Sequence, residues 1–246
     1  MVPSAIMPTP QHRRRRALRY PYDVPAGSYI LSEGRVRPFE ASATEGRLAV
    51  LAVGSNRAPE QLRRKFGAGA AATVPVQRAR LADFDVVYSA HVTRYGAAPA
   101  MLQHHPGAEV EIAVTWLDAG QLEIMHATEG LGTNYDFGVI EDIRLVLDDG
   151  RVQDAVHLYV GRRGHARTRA GAAAATALAA IACAGRGWPA WDVPQMLAWL
   201  RERVAPETPF EDFVERLATD PGFRAAAVDV LAADAVPFAW PYRKLA

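Results

Sequence analysis

Two short stretches carry residue types able to do chemistry together. The first is Gly54-Ser55-Asn56, which ends the apolar run Leu48–Val53 and precedes a helical pattern starting near Pro59. A strand–turn–helix of this kind can aim successive backbone N–H groups at one spot, and the positive end of the following helix adds to the field. Glycine there admits backbone conformations that other residues resist and lets a ligand come close. Ser55 and Asn56 either hydrogen-bond a polar ligand or cap the helix, and the residues alone leave both readings open.

The second stretch ends in Glu129. Leu122, Met125 and Glu129 are spaced i, i+3, i+7 and share a helix face, so a carboxylate stands where an apolar side chain is expected. It also falls in the last turn, ahead of Gly130. Burial and the helix C-terminus would both raise its pKa toward the range useful for proton transfer. If the helix ends earlier, Glu129 reaches solvent instead.

The elements that must hold these residues are short. "RLAVLAV" has strand length, and "PEQLRRKFG" reads as a helix stopped by Gly67. "TVPVQRARLADFDVVYSA", "PAML" and "AEVEIAVTWL" read as strands, the last with Val110, Ile112, Val114 and Trp116 on one face. Asp118 to Gly130 is a helix with an Asp N-cap and a Gly stop. "FGVIEDIRLVL" and "VQDAVHLYV" form two further strands around the turn Asp148-Asp149-Gly150. Long helices do not alternate with these strands, which disfavours a doubly wound parallel sheet. The expectation is an α+β fold: a small mixed β-barrel or curved sheet with short helices, plus a C-terminal helical appendix. Residues 1–45 make a loosely ordered arm with one short strand near Tyr29, 46–165 the core, and 166–246 the appendix. The appendix includes an alanine-rich helix from Arg169 to Cys183.

Composition narrows the function classes. The chain of 246 residues is half hydrophobic, enough for a full core without disulfide or metal support, and its net charge of +1 gives no global field for nucleic acid or lipid. The single cysteine, Cys183, points to a reducing compartment, the cytoplasm. No window reaches the apolar length of a membrane span, and Arg13 to Arg16 are not followed by a signal-peptide apolar region. Basic residues are nearly all arginine; lysine occurs only at Lys65 and Lys244. "YPYDVPAG" begins like an epitope tag and diverges at Ala26; it reads as native sequence. The pair His104-His105 has no third ligand at a metal-site spacing and is expected in an exposed turn before Pro106. His126, three residues before Glu129, could hydrogen-bond it.

"LAVGSN" closing a strand, then "HHPGAEVEIAVTWL", then a helix ending in "ATEG", resembles the γ-glutamylcyclotransferase-like superfamily in order and approximate spacing, from about Arg47 to about Val160. The resemblance implies that Gly54, Ser55 and Asn56 cradle a γ-glutamyl substrate, that Glu129 is the acid/base, and that Tyr135 lines the pocket. It implies release of an amine and closure of 5-oxoproline, without metal or cofactor, on a small-molecule substrate. Val53 stands at the substrate turn where the family usually has tyrosine, and His126 where many members have aspartate. The nearest match to a later tyrosine of some members is Leu178. The alternative is a non-catalytic small-ligand-binding or scaffold protein on the same fold, which the residue at Val53 favours.

Overall fold

The computed structural model describes residues 8–67, 73–168 and 175–246. In chain order the elements are α1 (Pro10–Leu18), β1 (Tyr29–Ser32), β2 (Arg35–Pro38), β3 (Leu48–Ala52), α2 (Pro59–Phe66), β4 (Val74–Tyr88), β5 (Ala100–Leu117), α3 (Ala119–Glu129), β6 (Tyr135–Ile140), β7 (Leu145–Leu147), β8 (Val152–Gln153) and β9 (Val156–Gly161). There follow β10 (Ala177–Leu178), β11 (Cys183–Ala184), β12 (Ala190–Trp191), α4 (Val193–Val204), α5 (Phe210–Thr219), α6 (Pro221–Ala232) and β13 (Arg243–Lys244). The fold is α+β, with all described strands in one mixed sheet.

The sheet path is β12-β10-β4-β5-β3-β9-β6-β13, and among the described residues it is open rather than closed into a barrel. Its spine is the long antiparallel pair β4–β5, in register from Val76↔Thr115 to Tyr88↔Ala100. The register slips between Ala82 and Phe84, where Asp83 takes a left-handed φ of 64° and accepts a hydrogen bond from the Gly107 amide at 2.8 Å. Such a bulge bends the strands and adds twist. Strand β3 lies between β5, antiparallel, and β9, parallel, so its C-terminal end emerges in the middle of the sheet.

The continuous apolar run of β3 follows from burial on both faces. Val50 and Ala52 join a cluster with Leu62 of α2 and Met125 of α3. Leu51 points the other way, into a cluster with Met196 and Leu200 of α4, Phe213 of α5 and Val228 of α6. With a side-chain period of two, one strand thereby feeds both layers.

Three expectations need correction. The alanine-rich segment is not a helix where it is described (Arg169–Ala174 lie outside the described residues): Ala177 and Leu178 pair with β4 and β12, and Cys183 and Ala184 pair with β5. Alanine favours helix only weakly, and fully buried Leu178 gains more from the sheet than local propensity supplies. The last part of the chain is therefore not purely helical; it returns four short strands to the main sheet. The arm is ordered over residues 10–18 as α1, anchored by ion pairs of Arg13 with Glu215 and Arg14 with Glu211 on α5. His104 and His105 do not sit in a turn. Strand β5 continues through Pro106-Gly107 at the bulge, with His104 against Phe84 and Trp240 and His105 stacked on Trp188.

Candidate active site

Strand β3 stops at Ala52, and Ser55–Arg57 form one tight 3-10 turn before α2. The cap position of α2 is Ala58, without a side-chain cap hydrogen bond. Neither Ser55 nor Asn56 caps the helix, so that alternative fails and their side chains are available elsewhere. Gly54 has φ −125°, outside the left-handed region. Its need is space: an added Cβ would lie 2.1 Å from the Tyr20 hydroxyl oxygen and 3.3 Å from the Ala100 side chain. What comes close to this backbone is a side chain from the N-terminal arm.

Helix α3 is delimited by local signals. Asp118 and Gln121 form a reciprocal capping box, with the Gln121 amide donating to Asp118 Oδ1 at 2.9 Å and the Asp118 amide to Gln121 Oε1 at 3.2 Å. Gly130 ends the helix in the left-handed region at φ 65°. Met125 is fully buried beneath the last turn, which carries Glu129 to the mouth of the β3–α2 turn. There Asn56 Nδ2 donates to Glu129 Oε1 at 2.9 Å. The turn and the glutamate, 73 residues apart, are brought into contact as the sequence suggested.

Lys65 of α2 completes the contact. Its ammonium forms an ion pair with Glu129 Oε1 and also reaches Thr128 Oγ1 at 2.9 Å and Met125 Sδ at 3.1 Å. Only 5% of the Lys65 side chain and 13% of the Glu129 side chain are exposed. A carboxylate left to burial and a helix terminus alone was the expectation; an ammonium stands against it instead. Glu129 Oε2 accepts no hydrogen bond from the described residues. His126 does not approach Glu129; its Nδ1 meets the Tyr159 hydroxyl at 2.8 Å.

These groups line a cavity of about 580 Å³, which includes Tyr20, Val53, Gly54, Ser55, Asn56, Glu129, Tyr135 and Tyr159. All six sequence-predicted site residues therefore lie on one cavity. The Tyr135 hydroxyl is pushed well above its ordinary value by burial first, then by the Glu129 charge. Burial and the Glu129 charge push Tyr159 up as well. Tyr20 is raised by burial, partly offset by the Ala100 amide that donates to its oxygen at 2.8 Å. All three hydroxyls hold their protons at neutral pH and can donate.

Sequence reading missed Tyr20, Tyr159 and Lys65. Tyr20 and Tyr22 of the tag-like stretch are 6% and 5% exposed, part of the protein's own core. For Lys65 a signal existed: a lysine kept in a chain that otherwise uses arginine, on the helix that follows the turn. Among the described residues no group of three or more His, Cys, Asp or Glu side chains is placed to hold a metal ion, and no helix is long and apolar enough to cross a membrane.

Part of the chain is similar to the structure of a gamma-glutamyl cyclotransferase. The match has 21% identity and a TM-score of 0.37, and covers 46% of this chain and 64% of that one. A crystal structure of an uncharacterised human protein matches with 21% identity and a TM-score of 0.38, over 47% of this chain and 66% of that one. A solution structure from Arabidopsis thaliana matches with 17% identity and a TM-score of 0.34, over 46% and 61%. The chain thus spans less than two thirds of the length of these structures. No family model matches the chain, and no curated protein matches it.

Proposed function

We propose that the protein is a γ-glutamylcyclotransferase-like enzyme that converts a γ-glutamyl amine or peptide into 5-oxoproline and a free amine. The observation that carries this reading is the contact of Asn56 with Glu129 at the mouth of the cavity. It joins the first and last of the three stretches on which the sequence resemblance rests.

In the proposed reaction the substrate's α-amine attacks its own γ-carbonyl carbon. A new C–N bond closes the ring, and the C–N bond to the departing amine breaks. Two protons leave the attacking nitrogen, one from the α-ammonium before attack and one after the new C–N bond forms. Two arrive on the departing nitrogen, which leaves as an ammonium, so no water and no redox partner are consumed. Glu129, paired with Lys65, takes each proton in turn and passes it on to the departing nitrogen. Asn56 and Lys65 fix Oε1, which directs the exchange to Oε2. The amides and hydroxyl of Gly54-Ser55-Asn56 bind the γ-glutamyl part, and Tyr20 and Tyr135 on the same cavity supply further hydroxyl donors. Because ring closure is unimolecular, the site chiefly folds the substrate into an attacking conformation.

The proposed compartment is the cytoplasm, with a small-molecule partner and neither nucleic acid nor membrane. Cys183 fits a structural thiol, since burial and then Asp85 push it up to about 12. A second reading, ligand binding without turnover, is favoured by Val53 at the substrate turn and by the ion pair that already engages Glu129. A panel of γ-glutamyl amines and γ-glutamyl amino acids, assayed for 5-oxoproline, separates the two. The enzyme reading expects product from at least one compound; stabilisation by a γ-glutamyl ligand with no product from any would replace it with the binding reading.

A further inference from the structure

The cavity is unevenly charged. Arg16, Arg64, Lys65, Arg94 and Arg224 line it, against the single carboxylate of Glu129. Two of the five cations are already neutralised, Lys65 by Glu129 and Arg64 by Glu60. The other three have no carboxylate partner among the described residues. Arg16 of α1 lies with its guanidinium 4.3 Å over the Tyr95 ring, and its Nε is buried without a hydrogen bond. Arg224 of α6 spends Nη1 on the Leu217 carbonyl at 2.7 Å. Arg94, in the segment between β4 and β5, is exposed.

These three residues come from the N-terminal helix, a mid-chain segment and the C-terminal helices. Arg16 and Arg224 lie outside the stretch that carries the Gly54-Ser55-Asn56 turn and Glu129, and Arg94 lies within it, between β4 and β5. The N-terminal and C-terminal helices thus both bring unpaired cations to the cavity lining. His91 also lines the cavity. It is lowered to about 4 by burial first and then by Arg163 and Arg224, so it adds no charge of its own at neutral pH.

We propose that Arg16, Arg94 and Arg224 form a subsite for a substrate whose departing portion carries two or more negative charges, as a dicarboxylate or a phosphate ester. Half-buried guanidinium groups such as those of Arg16 and Arg224 are costly to leave unpaired, and a multiply charged anion satisfies several at once through bidentate contacts. A singly charged or neutral departing amine leaves them unanswered, and a cationic one is repelled. The phrase "departing portion" rests on the cyclotransferase reading; the charge preference does not.

The test is isothermal titration of the full chain at low salt with four compounds. They are γ-glutamyl-glutamate, the γ-glutamyl amide of phosphoethanolamine, γ-glutamyl-glutamine, and a γ-glutamyl diamine with a free cationic end. Expected is binding of the first two at least roughly tenfold tighter than γ-glutamyl-glutamine, weakening as salt rises, with the diamine weakest. The two anionic arms tell carboxylate from phosphate. Arg224→Ala and Arg94→Ala should each erase most of the preference; Arg94 is exposed, so that variant keeps the fold. Equal binding of all four, preference for the diamine, or binding of none overturns the proposal. 5-Oxoproline release from the same samples is read separately: preference without product would sink the enzyme reading and leave the anion subsite standing, while product without preference would do the reverse.

Discussion

The hydroxyl of Tyr20 occupies the space above Gly54, so close that a Cβ on Gly54 would meet its oxygen at 2.1 Å. An arm residue and the substrate turn are therefore one packed unit. Gly54→Ala should destabilise the protein by about 1–3 kcal/mol, the usual range for overpacking a tight site. Removing the clashing oxygen should relieve part of that cost, so Gly54→Ala should be less damaging in a Tyr20→Phe background than alone. Chemical denaturation of the four proteins of the cycle measures this; simple additivity would show that the arm does not hold Tyr20 there.

Lys65 and Glu129 form a pair with little exposure, and breaking such a pair from one side leaves an uncompensated charge. Lys65→Met is expected to cost about 3 kcal/mol. Glu129→Gln added to Lys65→Met should restore much of the loss, because the orphan charge goes with it. Urea unfolding of the single and double variants checks the sign of the coupling. A double variant no more stable than Lys65→Met would contradict the pair.

His91 makes stability fall on the acid side. Its folded-state pKa of about 4 lies below the ordinary value, so between that value and about 6.5 the unfolded chain binds a proton that the folded protein refuses. Stability should be unaffected by this group above about pH 7, decline as pH falls through the window, and level off below about pH 4. The full effect is about 3 kcal/mol. Comparing unfolding free energies at pH 7 and pH 4.5 for the parent and His91→Phe isolates it: the variant should lose less on acidification.

How much of this was legible in the sequence depended on the range of each signal. Helix α3 was read correctly at both ends because Asp118, Gln121 and Gly130 act on their immediate neighbours. The turn at Gly54 was placed correctly for the same reason, though its glycine serves space rather than an unusual φ. Tyr20 lies 34 residues before that turn, and no periodicity links them. The Lys65–Glu129 pair spans 64 residues and depends on how α2 and α3 meet over β3. Residues 177–191 misled because alanine suggests helix, whereas their strands exist only where β4 and β5 offer edges to pair with. That integration also means that truncation after Val160 would strip strands and core helices together.

The central claim is that Glu129 moves the proton in ring closure. The direct measurement is the turnover rate for 5-oxoproline release from the best substrate of the panel, in the parent, Glu129→Gln and Lys65→Met/Glu129→Gln proteins, each shown to be folded by far-UV circular dichroism at the assay temperature. The account predicts a loss of at least about a hundredfold in both variants, the scale of a missing general acid–base group. Folded variants that release 5-oxoproline at the parental rate would contradict it.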